Sequence, residues 1–415
     1  MTAWIKIALR NLIKNWRRSI TTALAIALGF ASVSLFAGFT EYMYSGIRAV
    51  AIYGTSGGHL KIFRKGFLEK GQLDPARYLL YPKDIKAVDD ICRGNPDILI
   101  VTPQLRISGL ASNGKVSTIF VAQGVVPSAI EMFAKKSDFV PKKKGLFESL
   151  KLSEDKMYGV GMARGMARML DLKKSSYAVA FTNTLEGQMN ALDIEVLQLF
   201  DTSSDMNDKV MRVTLAFARE LYDTDGADRL AVLLDETLDT ELIREQLQSL
   251  FTERGLDLEV KTWKEMSQWY RNVKIMFDVI FTFLFIIVFF IVVMSVINTM
   301  SMAVVERTRE IGTLRALGLK RKGVMALFAV ESCLLGLLGI IWGAFLTFLG
   351  WWFVEVIEPT WIPPGLTNRA IISIKLVPES ILYSFIFLMI LCLIASIIPA
   401  RKAARQNVVD ALGHV

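Results

Sequence analysis

Between Asn298 and Gly318 the chain reads NTMSMAVVERTREIGTLRALG, placing Glu306, Arg307, Thr308, Arg309, Glu310, Gly312 and Arg315 between two apolar runs. Two uses are open to charge at this density. It can solvate a connecting loop whose basic residues mark the cytoplasmic side of a membrane, or it can dock on a complementary partner. On a helix, Glu306 and Glu310 would share a face while Arg307 and Arg309 point elsewhere. Like charges at that spacing disfavour an isolated helix and suit a basic groove on a partner.

Other chemistry-bearing residues point to no reaction. Gly109-Leu110-Ala111-Ser112-Asn113-Gly114-Lys115-Val116 approaches a phosphate-binding loop, but Val116 replaces the magnesium-binding hydroxyl and no helix follows. The same residues read better as a hairpin between strands at Leu105–Ala111 and Val116–Val121. The two histidines, His59 and His414, lie near no cysteine or carboxylate cluster, so neither metal ligation nor a Ser-His pair is indicated. Asp89 and Asp90 diverge on a predicted helix. Asp278 and Glu331 fall within apolar runs, where an acid is either functional or a packing and interfacial residue. The chain is expected to bind no metal and no cofactor.

The elements that must position the charged segment come from hydropathy. Of 415 residues 53% are hydrophobic, the net charge is +8, and the apolar residues gather in four runs. These cover about 20–39, 276–300, 324–354 and 380–399, each long enough to cross a hydrocarbon core of about 30 Å. Lys6, Arg10, Lys14, Arg17 and Arg18 precede the first run. Arg307, Arg309, Arg315, Lys320, Arg321 and Lys322 lie between the second and third, and Arg401, Lys402 and Arg405 follow the fourth. The positive-inside rule then makes both termini and residues 301–323 cytoplasmic and leaves residues 42–272 across the membrane. The first run is read as a retained signal anchor rather than a cleaved peptide, because no small-residue cleavage site follows it. Cys333 and Cys392 lie in spans, so the external Cys92 has no disulfide partner.

This yields a membrane protein of four transmembrane α-helices, with a large two-lobed α+β extracytoplasmic domain inserted between the first and second. The segments are an amphipathic interfacial helix (1–18), spans at 19–41, 273–300, 324–354 and 379–399, a cytoplasmic segment (301–323), a short outer loop (355–378) and a tail (400–415). In the first segment Trp4, Ile5, Ala8, Leu9, Leu12, Ile13 and Trp16 form one stripe. Lys6, Arg10, Lys14 and Arg17 lie opposite, a pattern suited to lipid headgroups or to the flank of an anchor. Ala23, Ala27 and Ala31 in the first span allow close approach of another span or of a second copy; Gly336, Gly339 and Gly343 in the third read either as a helix-helix contact or as the higher glycine content of membrane helices. Outside, two β-α-β units (59–102 and 230–262) flank a central insert, as in a split ferredoxin-like module.

Residue by residue, 298–318 resembles the signature of FtsX-like ABC transporter permeases, E-R-T-R-E-I-G-x-x-R-A-L-G. Residues 160–202 (VGMARGMARMLDLKKSSYAVAF, then TLEGQMNALDIEVLQLFDT) resemble the exterior domain of the macrolide-exporting (MacB) and lipoprotein-releasing (LolC/LolE) permeases, called type VII. Lys173-Lys174-Ser175 stands where that family has an acid-bearing turn. The tail PARKAARQNVVDALGHV resembles the family ending, with Val408 in place of proline.

The resemblance implies that Glu306, Arg307, Thr308, Arg309, Glu310, Ile311, Gly312, Arg315, Ala316, Leu317 and Gly318 couple the chain to an ATPase. It implies a partner ATPase dimer that binds ATP and magnesium, a second permease copy or paralogue, membrane lipid, and a periplasmic lipoprotein chaperone or adaptor; no nucleic-acid partner is expected. It implies residence in a bacterial inner membrane with the large domain periplasmic, no enzyme activity of the chain itself, and a role in lipoprotein release. Alternatives are efflux of amphipathic molecules and mechanical signalling to a cell-wall enzyme or sensor.

Overall fold

A computed structural model describes residues 2–54, 56–71, 73–136, 152–202, 208–361 and 370–406. The readings of His414 and Val408 fall outside these residues. The chain divides into two units. One contains residues 1–43, 273–361 and 371–415, and the other residues 44–272 and 362–370.

The first unit holds helices long and apolar enough to cross a membrane, four among the described residues. The first span is Trp16–Ala49, the second Gln268–Glu306, the third Arg321–Ile357 and the fourth Pro378–Arg405. Each outruns the expected apolar segment, and the fourth continues through Pro399 to Arg405. The N-terminal helix, Thr2–Lys14, ends at a turn on Asn15, where Ser19 Oγ donates to the Leu12 carbonyl at 3.1 Å. Its apolar stripe divides. Ala8 and Leu12 are buried, whereas Ile5, Leu9, Ile13 and Trp16 are exposed.

Small residues set the contact between the first and third spans. A Cβ on Gly339 would sit 2.7 Å from Ile26 and 3.0 Å from the Ala23 carbonyl oxygen. One on Gly343 would meet Phe30 at 2.8 Å and the Ala27 oxygen at 2.9 Å. Ala27 and Ala31 are buried. Close backbone approach of this kind replaces the hydrophobic driving force that lipid withholds. Gly336 faces Met389 and Cys392 of the fourth span. Hydroxyls add ties: Thr22 pairs with Thr299 between the first and second spans, and Ser332 Oγ donates to the Cys392 carbonyl at 2.8 Å.

The second unit is built on nine strands: β1 Leu60–Arg64, β2 Ile98–Ser112, β3 Ser117–Val125, β4 Gly159–Ala163, β5 Tyr177–Asn183, β6 Met189–Phe200, β7 Val210–Thr214, β8 Arg229–Leu234 and β9 Leu258–Thr262. The order β2-β8-β1-β9 is antiparallel throughout, with helices Pro82–Cys92 and Thr240–Glu253 as the crossovers. This is the split β-α-β arrangement read from the sequence. Leu60, Val88, Val232, Ile243, Leu247 and Phe251 fill its core.

Residues 98–102 and 105–111 were expected as separate strands, but β2 runs unbroken through Pro103. There it pairs only with β8, an edge position that tolerates proline. Its second half pairs with β3 and β5, and since β3 also pairs with β7, strands β2-β3-β7-β4-β6-β5 close into a barrel. The second lobe is therefore closed on itself. Side chains fill the interior, as a small barrel requires, and helices Arg164–Met169 and Leu215–Tyr222 add Met166, Ala167, Phe217 and Leu221.

The two strand-helix segments VGMARGMARML (160–170) and MRVTLAFARELY (211–222) resemble each other, sharing Ala167/Ala218, Arg168/Arg219 and Leu170/Leu221. Their strands lie antiparallel side by side. The Gly109–Val116 stretch is the expected hairpin: Asn113 Oδ1 accepts from the Lys115 and Val116 amides, and Gly114 turns at φ +85°. At the turn without glycine, Ser175 takes φ +65° and donates its amide to the Val196 carbonyl.

Candidate functional site

The charged segment is not one helix. The second span continues to Glu306 and breaks at Arg307 (φ −116°, ψ 16°), and a new helix runs from Thr308 to Ala316. The expected common face of Glu306 and Glu310 is therefore interrupted. Three interactions make the break. Ile311 is buried in the core of the bundle, Thr308 Oγ1 donates to the Val304 carbonyl at 2.9 Å, and the Arg307 side chain turns inward. Leu317 and Gly318 close the short helix: the Leu319 amide reaches the Leu314 carbonyl and Gly318 adopts φ +100°, a conformation suited to glycine.

Charge ties this short helix to the other spans. Glu306 accepts two hydrogen bonds from Arg18, at 2.8 and 3.2 Å, at the start of the first span. Arg307, with 9% of its side chain exposed, donates through Nε to Glu310 at 3.0 Å and through a terminal nitrogen to Glu331 at 3.2 Å. Glu331 lies within the third span and is 5% exposed, so the acid is a packing residue with a buried cation as its partner. Arg315 donates to the Gln406 carbonyl after the fourth span.

Of the residues singled out by sequence, Arg307, Thr308, Ile311 and Gly312 are buried. Glu306, Arg309, Glu310, Ala316, Leu317 and Gly318 are exposed, and Arg315 is intermediate. Leu314 was not singled out, yet it is exposed beside Leu317, which was singled out and is 81% exposed. Gln406 carried no signal at all. Glu331 did, since an acid in an apolar run calls for a partner.

In the second unit, the continuation of the first span is fastened to both lobes. The helix loosens into a π-turn at Val50–Gly54, and Arg212 of β7 donates to the Gly54 carbonyl at 3.0 Å. Arg212 also lies over the Phe200 ring, and burial lowers its pKa to about 10. Gln104 of β2 donates to the Ser56 carbonyl at 2.6 Å and accepts from Gln123. Tyr44, Tyr270 and Trp263 meet edge to face in turn, bringing the chain that leaves the first span against the chain that enters the second.

His59 engages both ring nitrogens: Nδ1 accepts from the Leu234 amide at 3.1 Å, and Nε2 donates to Thr237 Oγ1 at 3.0 Å. Burial, then Lys136 and Arg48, lower its pKa to about 4. Among the described residues no group of three or more His, Cys, Asp or Glu side chains could hold a metal.

Residues 282–408 match the FtsX-like permease C-terminal family model, so the chain carries an FtsX-like permease domain. An uncharacterized ABC transporter permease of Methanocaldococcus jannaschii is 26% identical over 53% of this chain and 54% of its own length. The macrolide export ATP-binding/permease protein MacB of Chromobacterium violaceum is 23% identical over 99% of this chain and 60% of its own. The chain thus spans less than two thirds of these relatives. The periplasmic region of MacB from Actinobacillus actinomycetemcomitans aligns with 54% of this chain and 98% of its own at 13% identity and TM-score 0.35. The extracellular domain of YknZ from Gram-positive bacteria aligns with 49% and 99% at 14% and 0.33.

Proposed function

We propose that this chain is the membrane subunit through which a separate ABC ATPase, binding ATP and magnesium, drives the domain inserted between the first two spans. The observation that carries this reading is the charged break at Glu306 and Arg307, tied by ion pairs to the first and third spans, and the short helix Thr308–Ala316 that follows it with Leu314 and Leu317 exposed at its end. With both termini and this helix cytoplasmic and the domain periplasmic, closure of an ATPase dimer would push the helix. The Tyr44–Tyr270–Trp263 contacts and the Arg212–Gly54 bond, where the first span continues into the inserted domain, would receive the displacement. Two permease chains, identical or paralogous, would face the two ATPase subunits.

The cargo class in this reading is a membrane-embedded amphiphile. Release of lipidated proteins to a periplasmic chaperone or adaptor is one form, and efflux of smaller amphipathic molecules is the second, favoured by the MacB similarity that extends over 99% of this chain. The test is purification of the tagged full-length chain from its native membrane. Mg-ATP hydrolysis should copurify, and mass spectrometry of the bound material should reveal a lipid-modified polypeptide in the first case or a free amphiphile in the second. Absence of copurifying ATPase activity would overturn the reading.

A further inference from the structure

We propose that the acidic residues of the charged segment form an internal clamp on the chain's own spans. The surface offered to the ATPase is then the exposed side of the short helix, Arg309 with Leu314 and, at its tip, Leu317. This rests on the coupling role proposed above and changes which residues perform it. Each acid is already engaged: Glu306 by both terminal nitrogens of Arg18, and Glu310 and Glu331 by Arg307. Arg315 adds a bond to the Gln406 carbonyl. The end of the second span is therefore bonded to the first, the break at Arg307 to the third, and the short helix to the break through Glu310 and to the end of the fourth span through Arg315.

The consequence is mechanical. A push on a helix held only by its chain ends would bend the nearest linker. Here the side-chain bonds lie at the break itself, so the push is shared among the spans at their common end. The bidentate Arg18–Glu306 pair has a fixed fork geometry, and Arg307 holds its two carboxylates from a buried position, where loss of a partner is costly. On the exposed side the helix presents Arg309, the Glu310 carboxylate already held by Arg307, and two leucines, a chemistry suited to an apolar cleft with a polar rim.

Charge exchange separates an internal clamp from a direct partner contact. Arg18→Glu, Glu306→Arg, the double exchange and Leu317→Asp would be made in the tagged full-length chain. Two quantities are measured: the apparent unfolding midpoint of the solubilised chain, and the Mg-ATP hydrolysis that copurifies with it. Each single exchange should lower the midpoint and reduce copurifying hydrolysis by roughly two- to fivefold, the scale of an exposed ion pair, and the double exchange should restore both.

A double exchange that restores the midpoint but not the hydrolysis makes Glu306 itself a partner contact and overturns the clamp. Single exchanges that alter neither quantity overturn it as well. Leu317→Asp should abolish copurifying hydrolysis at an unchanged midpoint. If it does not, the tip assignment fails; if hydrolysis copurifies undiminished with all the variants, the coupling role itself fails.

Discussion

Arg307 and Glu331 meet at 3.2 Å, one at a break between helices and the other inside a membrane-spanning helix, each with under a tenth of its side chain exposed. A buried pair of this kind is costly to assemble and more costly to halve, because removing one partner strands the other charge. Glu331→Met or Arg307→Met alone should each destabilise the solubilised chain by about 3–5 kcal/mol. The double Met variant should recover most of that loss. Thermal unfolding in detergent supplies the cycle, and additive effects would show that the pair is not coupled.

Steric closeness between the first and third spans gives a second test. Gly339→Val puts branched carbon where Ile26 and the Ala23 carbonyl already lie within about 3 Å of the new Cβ. Overpacking of this sort costs about 1–3 kcal/mol. Ala344→Val, on an exposed position of the same helix, should leave the unfolding midpoint unchanged.

The inserted domain should lose stability in mild acid. His59 is neutral when folded, with a pKa lowered to about 4 from an ordinary 6.5, so the unfolded chain binds its proton first as the pH falls. The contribution is fully present above pH 6.5 and is lost progressively down to about pH 4, a total approaching roughly 3 kcal/mol. Unfolding midpoints at pH 7.5 and 5 should differ more for the native chain than for His59→Gln. Equal differences would remove His59 as the source.

Thiol chemistry should be silent in the folded domain. Burial, with Asp89 nearby, pushes the Cys92 thiol up to about 12, so almost no thiolate exists at neutral pH. Mass spectrometry after N-ethylmaleimide treatment at pH 7.5 should find Cys92 unmodified until denaturant is added. Rapid labelling in the native state would contradict the packing of helix Pro82–Cys92 on the sheet.

Much of this architecture was legible in one dimension. Hydropathy located the spans, because a lipid-crossing helix must be apolar along its length. The two β-α-β units appear over the stretches read for them, the second ending with β9 at Thr262. Closure of the barrel was not legible, since it depends on β3 pairing with β7 and β2 with β5, segments far apart in sequence. Nor was the break at Arg307, where neither glycine nor proline interrupts the helix.

The sequence by itself determined that this is a four-span membrane protein, with a large domain between two spans and a charged segment resembling an ATPase-coupling signature. Composition and spacing suffice for that, because hydrophobic length and local charge are local properties. Only the tertiary structure decided which charges face inward. Arg18, Glu306, Arg307 and Glu331 become partners because the packed spans bring together residues up to 288 positions apart. A buried charge is tolerated only where an opposite one has been brought to meet it.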